Sequence, residues 1–186
     1  MRTFIAVEIP KEIRQAVGEY INSIKDCMKD VKWVEPQNLH FTIKFLGELK
    51  NSDIRNIKEC VENVANEFSP FALGLSDTGF FPSEYKPKVV WIGVDSGKDT
   101  LLDLYQDMER CFEQYGFDRE AKTFSPHLTI GRVKKFMKVT VPDNLPDFES
   151  VMFTVSRLAV MKSTLTPEGP IYEKISESEF KNSQAI

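Results

Sequence analysis

Two four-residue segments, His40-Phe41-Thr42-Ile43 and His127-Leu128-Thr129-Ile130, hold the only two histidines of this 186-residue chain. Each alternates polar and apolar side chains, the pattern of a strand with one buried and one open face. Side chains two apart on a strand point the same way. Each copy therefore offers an imidazole beside a hydroxyl, while Phe41, Ile43, Leu128 and Ile130 face a core. An amphipathic helix and then strand material precede the histidine strand in each half, a loose repeat confined to a few residues. The expectation is a duplication whose halves share one fold unit, because no low-complexity linker divides them.

Beyond the histidine strands, which run from Leu39 to Leu46 and onward from Ser125-Pro126, strand patterns cover Phe4–Ile9, Val31–Val34, Phe71–Phe81, Val89–Val94, Val151–Met161 and Ile171–Ile175. The first helix starts at Pro10 and turns Ile13, Ala16, Val17, Tyr20, Ile21 and Ile24 inward. The second takes Ser52 as N-cap and buries Ile54, Ile57, Val61, Val64 and Ala65. The third carries Leu101, Leu104, Tyr105, Met108, Cys111, Phe112 and Tyr115 on one face and ends at Gly116. Glu35–Asn38, Pro82–Pro87 and Thr164–Pro170 read as turns, and the polar tail after Glu179 is expected to fray. Strands interspersed with three helices fit α+β and α/β alike.

A chain of this length supports one domain or two small lobes sharing a core. Its net charge of −4 argues against coating long nucleic acid but leaves room for a local basic site. No apolar run approaches the roughly 18 residues that span a membrane, and a charge arrives too early for a signal peptide. A cytoplasmic protein is expected. Cys27, Cys60 and Cys111 are an odd number without CxxC spacing. They read as small buried hydrophobes with free thiols in a reducing compartment.

Two imidazoles can supply one general acid and one general base near neutral pH, as phosphodiester cleavage requires. Thr42 and Thr129 can donate hydroxyl hydrogen bonds to phosphate, and Arg132 is a fork for two phosphate oxygens. Between Glu120 and Asp143 there is no acidic residue, while Lys122, Arg132, Lys134, Lys135 and Lys138 are all present. A zinc site would need a third ligand, and neither motif has HExxH or CxxC spacing. Trp33 and Trp91 suit buried packing better than base stacking. Tyr85 and Phe136 fall on loops, with nothing in their spacing to commit them to RNA.

These residues carry a resemblance. The extended motifs His40-Phe41-Thr42-Ile43-Lys44-Phe45 and His127-Leu128-Thr129-Ile130-Gly131-Arg132 match the HxTxxF and HxTxxR patterns of the two-histidine (2H) phosphoesterases. Within that family the chain is similar to the RNA 2′,3′-cyclic phosphodiesterases, also called 2′-5′ RNA ligases. The blocks RTFIAVEIP, VVWIGV and KSTLTPEGPIYE add weight. The resemblance implies an α+β fold: a single bilobal domain over residues 1–186, with facing antiparallel-rich sheets around a cleft and helices outside. It implies that His40 protonates the ribose O3′ leaving group and that His127 activates water. Arg132 would hold the phosphate, Phe45 would stack on the terminal base, and the product would be a 2′-phosphate. It further implies no metal or cofactor and RNA 3′ ends bearing a cyclic phosphate as substrate; a monomer is expected, with tRNA fragments among the candidate RNAs. Reversible 2′-5′ joining and a non-catalytic RNA-end-binding module are the alternatives. One feature resists an ideal strand: Phe45 and Arg132 follow their histidines by five positions, an odd offset that aims them at the opposite face. Gly131 permits a bulge before Arg132; for Phe45 the strand is expected to bend or end.

Overall fold

The computed structural model describes residues 1–167 and 169–181. Nine strands and three helices alternate along them: β1 (Arg2–Glu8), α1 (Lys11–Ile24), β2 (Val31–Trp33), β3 (His40–Glu48), α2 (Ile54–Asn66), β4 (Phe71–Phe81), β5 (Val89–Ser96), α3 (Lys98–Gln114), β6 (His127–Val133), β7 (Val151–Val155), β8 (Arg157–Leu165) and β9 (Pro170–Glu179). The strands form two antiparallel sheets, one ordered β3-β1-β8-β9 and the other β2-β6-β5-β4-β7. This is an α+β architecture. Each sheet holds one histidine strand, and β3 approaches β6 where the sheets meet.

The helices tie the halves together. α1 runs from β1 in the first sheet to β2 in the second, and its Tyr20 hydroxyl lies 2.5 Å from Thr78 Oγ1 on β4, also in the second sheet. α3 connects two strands of the second sheet and packs against α2 and β3. Both helices thus brace the two sheets against each other, and the buried apolar residues form one continuous cluster running from Ile5 to Phe180. The inward positions expected for α1 and α2 are buried, except that Ala16 and Ile54 are half-buried. Gly116, at φ +81°, follows α3 as a left-handed stop.

Four expectations are corrected. The segment Val151–Met161 is not one strand: β7 pairs with β4, β8 pairs with β1 and β9, and the chain changes sheets at Ser156. The cause is legible afterwards. Val155 and Leu158 are both buried although three apart, so the period of two breaks between them. Ser52 does not cap α2; a tight turn at Asn51–Asp53 precedes the helix, with the Asp53 carboxylate accepting from Lys50 N–H. Cys60 and Cys111 are not free thiols but a disulfide joining α2 to α3, while Cys27 is free and exposed rather than buried. The tail after Glu179 is not polar and frayed from its start, because Phe180 is buried and its ring lies beside those of Phe68 and Phe71. The rest of that tail, residues 182–186, and Glu168 in the Thr164–Pro170 turn lie outside the described residues.

Candidate active site

Strand register explains how the two odd-offset residues reach the cleft. Along β1 and β3, Ala6 pairs with Thr42 and Ile5 pairs with Lys44, so Ile43 is an extra residue. Along β5 and β6, Trp91 pairs with Thr129 and Val90 with Gly131, so Ile130 is the extra residue. A bulge of this kind reverses which face the following residues point to. Ile43 and Lys44 are both buried, as are Ile130 and Gly131. Phe45 and Arg132 then emerge on the histidine face; Phe45 is 55% exposed. The two halves contain the same device at the same position.

What the bulge forces inward differs between them. At Gly131 a Cβ would stand 2.6 Å from Val31 Cγ1 and 2.9 Å from the Trp33 ring, so glycine is required by close approach. At the equivalent position Lys44 goes inward, and α3 meets it with Glu109 at 2.5 Å. Lys44 Nζ also donates to the Asp118 carbonyl, and the other Glu109 oxygen accepts from Glu120 N–H. Both side chains are almost fully buried. Removing one partner strands the other charge, so Lys44→Ala is expected to destabilise the fold by about 3–5 kcal/mol. Lys44→Met combined with Glu109→Leu should recover most of that loss in denaturant melts. A single variant within about 1 kcal/mol of the parent would contradict the assignment.

Each histidine is anchored in the same way. His40 Nδ1 lies 2.6 Å from the Asn38 carbonyl oxygen, and His127 Nδ1 lies 2.6 Å from that of Ser125. A carbonyl only accepts, so Nδ1 carries the proton and Nε2 is left for chemistry. Each imidazole also sits against aromatic rings: Phe4 and Tyr172 for His40 at centroid distances of 4.9 and 5.0 Å, Phe81 and Trp91 for His127 at 5.0 and 6.3 Å. Burial among these groups lowers the pKa of His40; the Asn38 carbonyl opposes the shift, and Arg14 and Arg132 add to it. His127 is lowered by burial, opposed by the Ser125 carbonyl and assisted by Arg132. In the free cleft both rings are therefore mainly neutral at pH 7.

One cavity of about 90 Å³ is lined by His40, Thr42, Phe45, His127, Thr129 and Arg132, together with Val34, Asn38 and Tyr172. Two imidazoles, two hydroxyls and a guanidinium therefore face one cavity, the donor set that a phosphoryl group requires. All six residues expected from the sequence meet here. Arg132 has no carboxylate partner among the described residues. Tyr172 and Asn38 were missed as site residues: Tyr172 arrives from β9, far along the chain, and Asn38 contributes through its backbone. Of the cationic run only Arg132 enters the cleft. Lys134 turns to Asp30 and the Lys29 carbonyl, and Lys122 lines a separate cavity of about 400 Å³ on α3. Trp91 packs beside Phe81 at the edge of His127, Trp33 packs over Gly131, and Tyr85 and Phe136 are exposed away from the cleft lining. No group of three or more His, Cys, Asp or Glu side chains among the described residues is placed to hold a metal ion.

A family model described as LigT like Phosphoesterase matches residues 7–91 and again residues 92–172, once for each histidine motif. The chain belongs to this family. Its relatives include a protein of Thermotoga maritima named RNA 2′,3′-cyclic phosphodiesterase, 34% identical over 97% of this chain and 96% of that one. A protein of the same name from Methanocaldococcus jannaschii is 36% identical over 95% and 99% of the two chains. Among solved structures, a Thermus thermophilus protein superposes with a TM-score of 0.85 at 26% identity, covering 99% of this chain and 100% of its own. The E. coli LigT structure complexed with 3′-AMP gives 0.80 at 20% identity over 97% and 98%, a likeness of fold.

Proposed function

We propose that this chain hydrolyses 2′,3′-cyclic phosphates at RNA 3′ ends, leaving a 2′-phosphate, by metal-free acid–base catalysis between two histidines. The observation that carries the reading is a pair of imidazoles, each fixed through Nδ1, on one cavity that also holds a guanidinium with no carboxylate partner among the described residues. The names of the full-length relatives support the substrate. His127 Nε2 takes a proton from water as the water oxygen attacks phosphorus. The P–O3′ bond breaks, and O3′ takes the proton that His40 carries on Nε2. One water is consumed, both rings return to their starting state by exchange with solvent, and the 2′-phosphate remains. Thr42 and Thr129 donate to the non-bridging oxygens with Arg132, where charge accumulates in the transition state. Phe45 offers its exposed ring to the terminal base. Both histidines, both hydroxyls and Arg132 lie on the same chain, so the proposed chemistry needs no second copy; the reading is completed by a monomer, a single bilobal unit over residues 1–186, acting on RNA fragments in the cytoplasm.

Reversible 2′-5′ joining would use the same groups, with an RNA hydroxyl in place of water. Hydrolysis is favoured because joining must also capture and orient a second end.

The test is turnover of a short RNA ending in a 2′,3′-cyclic phosphate, with EDTA present, followed across pH. The expected product is the 2′-monoester; a 3′-monoester or loss of turnover in EDTA would refute the mechanism. kcat/KM reports the free enzyme and kcat the complex. With both free imidazoles held below their usual 6.5, the kcat/KM bell should peak on the acid side of that value. It falls at low pH as His127 gains a proton and at higher pH as His40 loses one. A bound phosphate anion favours imidazolium, so the alkaline limb of kcat should lie at higher pH than that of kcat/KM.

A further inference from the structure

Past Asn38 and Tyr172 the cleft continues into a second cavity of about 300 Å³ that shares the His40 wall. Arg14, reaching in from the first turns of α1, lines it. Its side chain is half-buried, its Nε is buried without a hydrogen-bond partner, and it forms no ion pair among the described residues. Holding a guanidinium partly out of water without a partner is unfavourable. A carboxylate is present in the same cavity, but Glu8 is taken by Lys174 Nζ at 2.6 Å. The fold therefore neutralises Lys174 and leaves the charge of Arg14 uncompensated. The influence of that charge on His40 places it within electrostatic reach of the reacting centre.

The shape of an RNA end gives this charge a ligand. A ribose whose 2′,3′-phosphate lies between the histidines has two other arms, the base and the 5′ carbon. Phe45 and the second cavity both adjoin the histidine cavity, so a ribose held there can present its base to Phe45 and its 5′ arm past Asn38 and Tyr172. We propose that the second cavity is a subsite for the first internucleotide phosphate upstream of the cyclic end, with Arg14 as its guanidinium. The enzyme thereby distinguishes the end of a chain from a cyclic mononucleotide. Arg14 also lines the next cavity, of about 390 Å³, together with Lys11, which extends a cationic path for upstream phosphates. This inference rests on the function proposed above.

The test compares 2′,3′-cyclic AMP with two ApA dinucleotides ending in a 2′,3′-cyclic phosphate, one joined by a phosphodiester and the other by a neutral methylphosphonate. The parent is expected to prefer the phosphodiester dinucleotide by about tenfold in kcat/KM over both other substrates. Its log–log salt dependence on that substrate should be steeper by about 0.7, the value for one released counterion on a single strand. Arg14→Gln should bring the three substrates to similar kcat/KM and remove the extra slope, with Arg14→Lys recovering part of each. Equal use of the two dinucleotides by the parent would overturn the subsite without reference to any variant. An Arg14→Gln enzyme that weakens on all three substrates alike would overturn it too, assigning Arg14 to His40 or to the fold. A parent that turns over none of them refutes the cyclic phosphodiesterase reading itself and the subsite with it.

Discussion

Alanine at His40 or at His127 is expected to lower kcat on a cyclic-phosphate RNA end by about 10²–10⁴-fold, the range for removal of a positioned general acid or base. Neither half of the cleft contains a substitute. Thr42 and Thr129 cannot titrate near neutrality, and the other lining groups are Val34, Asn38, Phe45, Arg132 and Tyr172. KM should change far less, because Arg132 and both hydroxyls remain. The two rings act on one transition state, so the double variant should lose little beyond the worse single one. The roles separate with a substrate in which sulfur replaces O3′, since a thiolate leaves without a proton. His40→Ala should regain much of its loss on that substrate, and His127→Ala should not. Recovery by His127→Ala instead would exchange the two roles. Turnover within tenfold of the parent in either variant, with an unchanged melting temperature, would remove that histidine from the chemistry.

Arg132→Ala is expected to cost about 10²–10³-fold in kcat, the scale for loss of one aimed donor to a developing charge. Arg132→Lys should recover only a minor part. An ammonium is a point charge and cannot bond two phosphoryl oxygens at once in the plane of a fork. The position is also specific: Arg132 reaches the cleft only because the bulge at Ile130 and Gly131 reverses the strand face. Its charge acts on both histidines. Removing it should therefore raise both imidazole pKa values and move the kcat/KM bell to higher pH. A Lys variant with near-parental kcat, or an Ala variant whose bell does not move, would contradict the assigned contact.

The residue types of the cleft were legible in the sequence, and their convergence was not. Alternation placed Phe41, Ile43, Leu128 and Ile130 in the core and left His40, Thr42, His127 and Thr129 open, as observed. Gly131 signalled its bulge because a residue without a Cβ inside a strand has few other uses. The matching bulge before Phe45 had no such sign. Its inward residue is a lysine, and what makes a buried lysine tolerable is Glu109, 65 residues away on α3. The free-thiol reading of Cys60 and Cys111 failed for a related reason. Helical spacing assigns each to a stripe but says nothing of which two stripes will face each other. The continuous strand drawn through Ser156 is a different case, since the break in alternation between Val155 and Leu158 was there to be read.

By itself the sequence determined the local terms: the period of each strand and helix, the His-Thr pairs and the cation beside one of them. Only the tertiary structure decided that β3 and β6 meet from different sheets, that Tyr172 closes the cleft from β9, and that Arg14 stands without an ion-pair partner among the described residues behind His40. Periodicity is set by the backbone geometry of neighbouring residues and survives in any short window. Register, bulges and the pairing of buried charges depend on partners many residues away, and the free energy that selects them exists only once those partners are in contact.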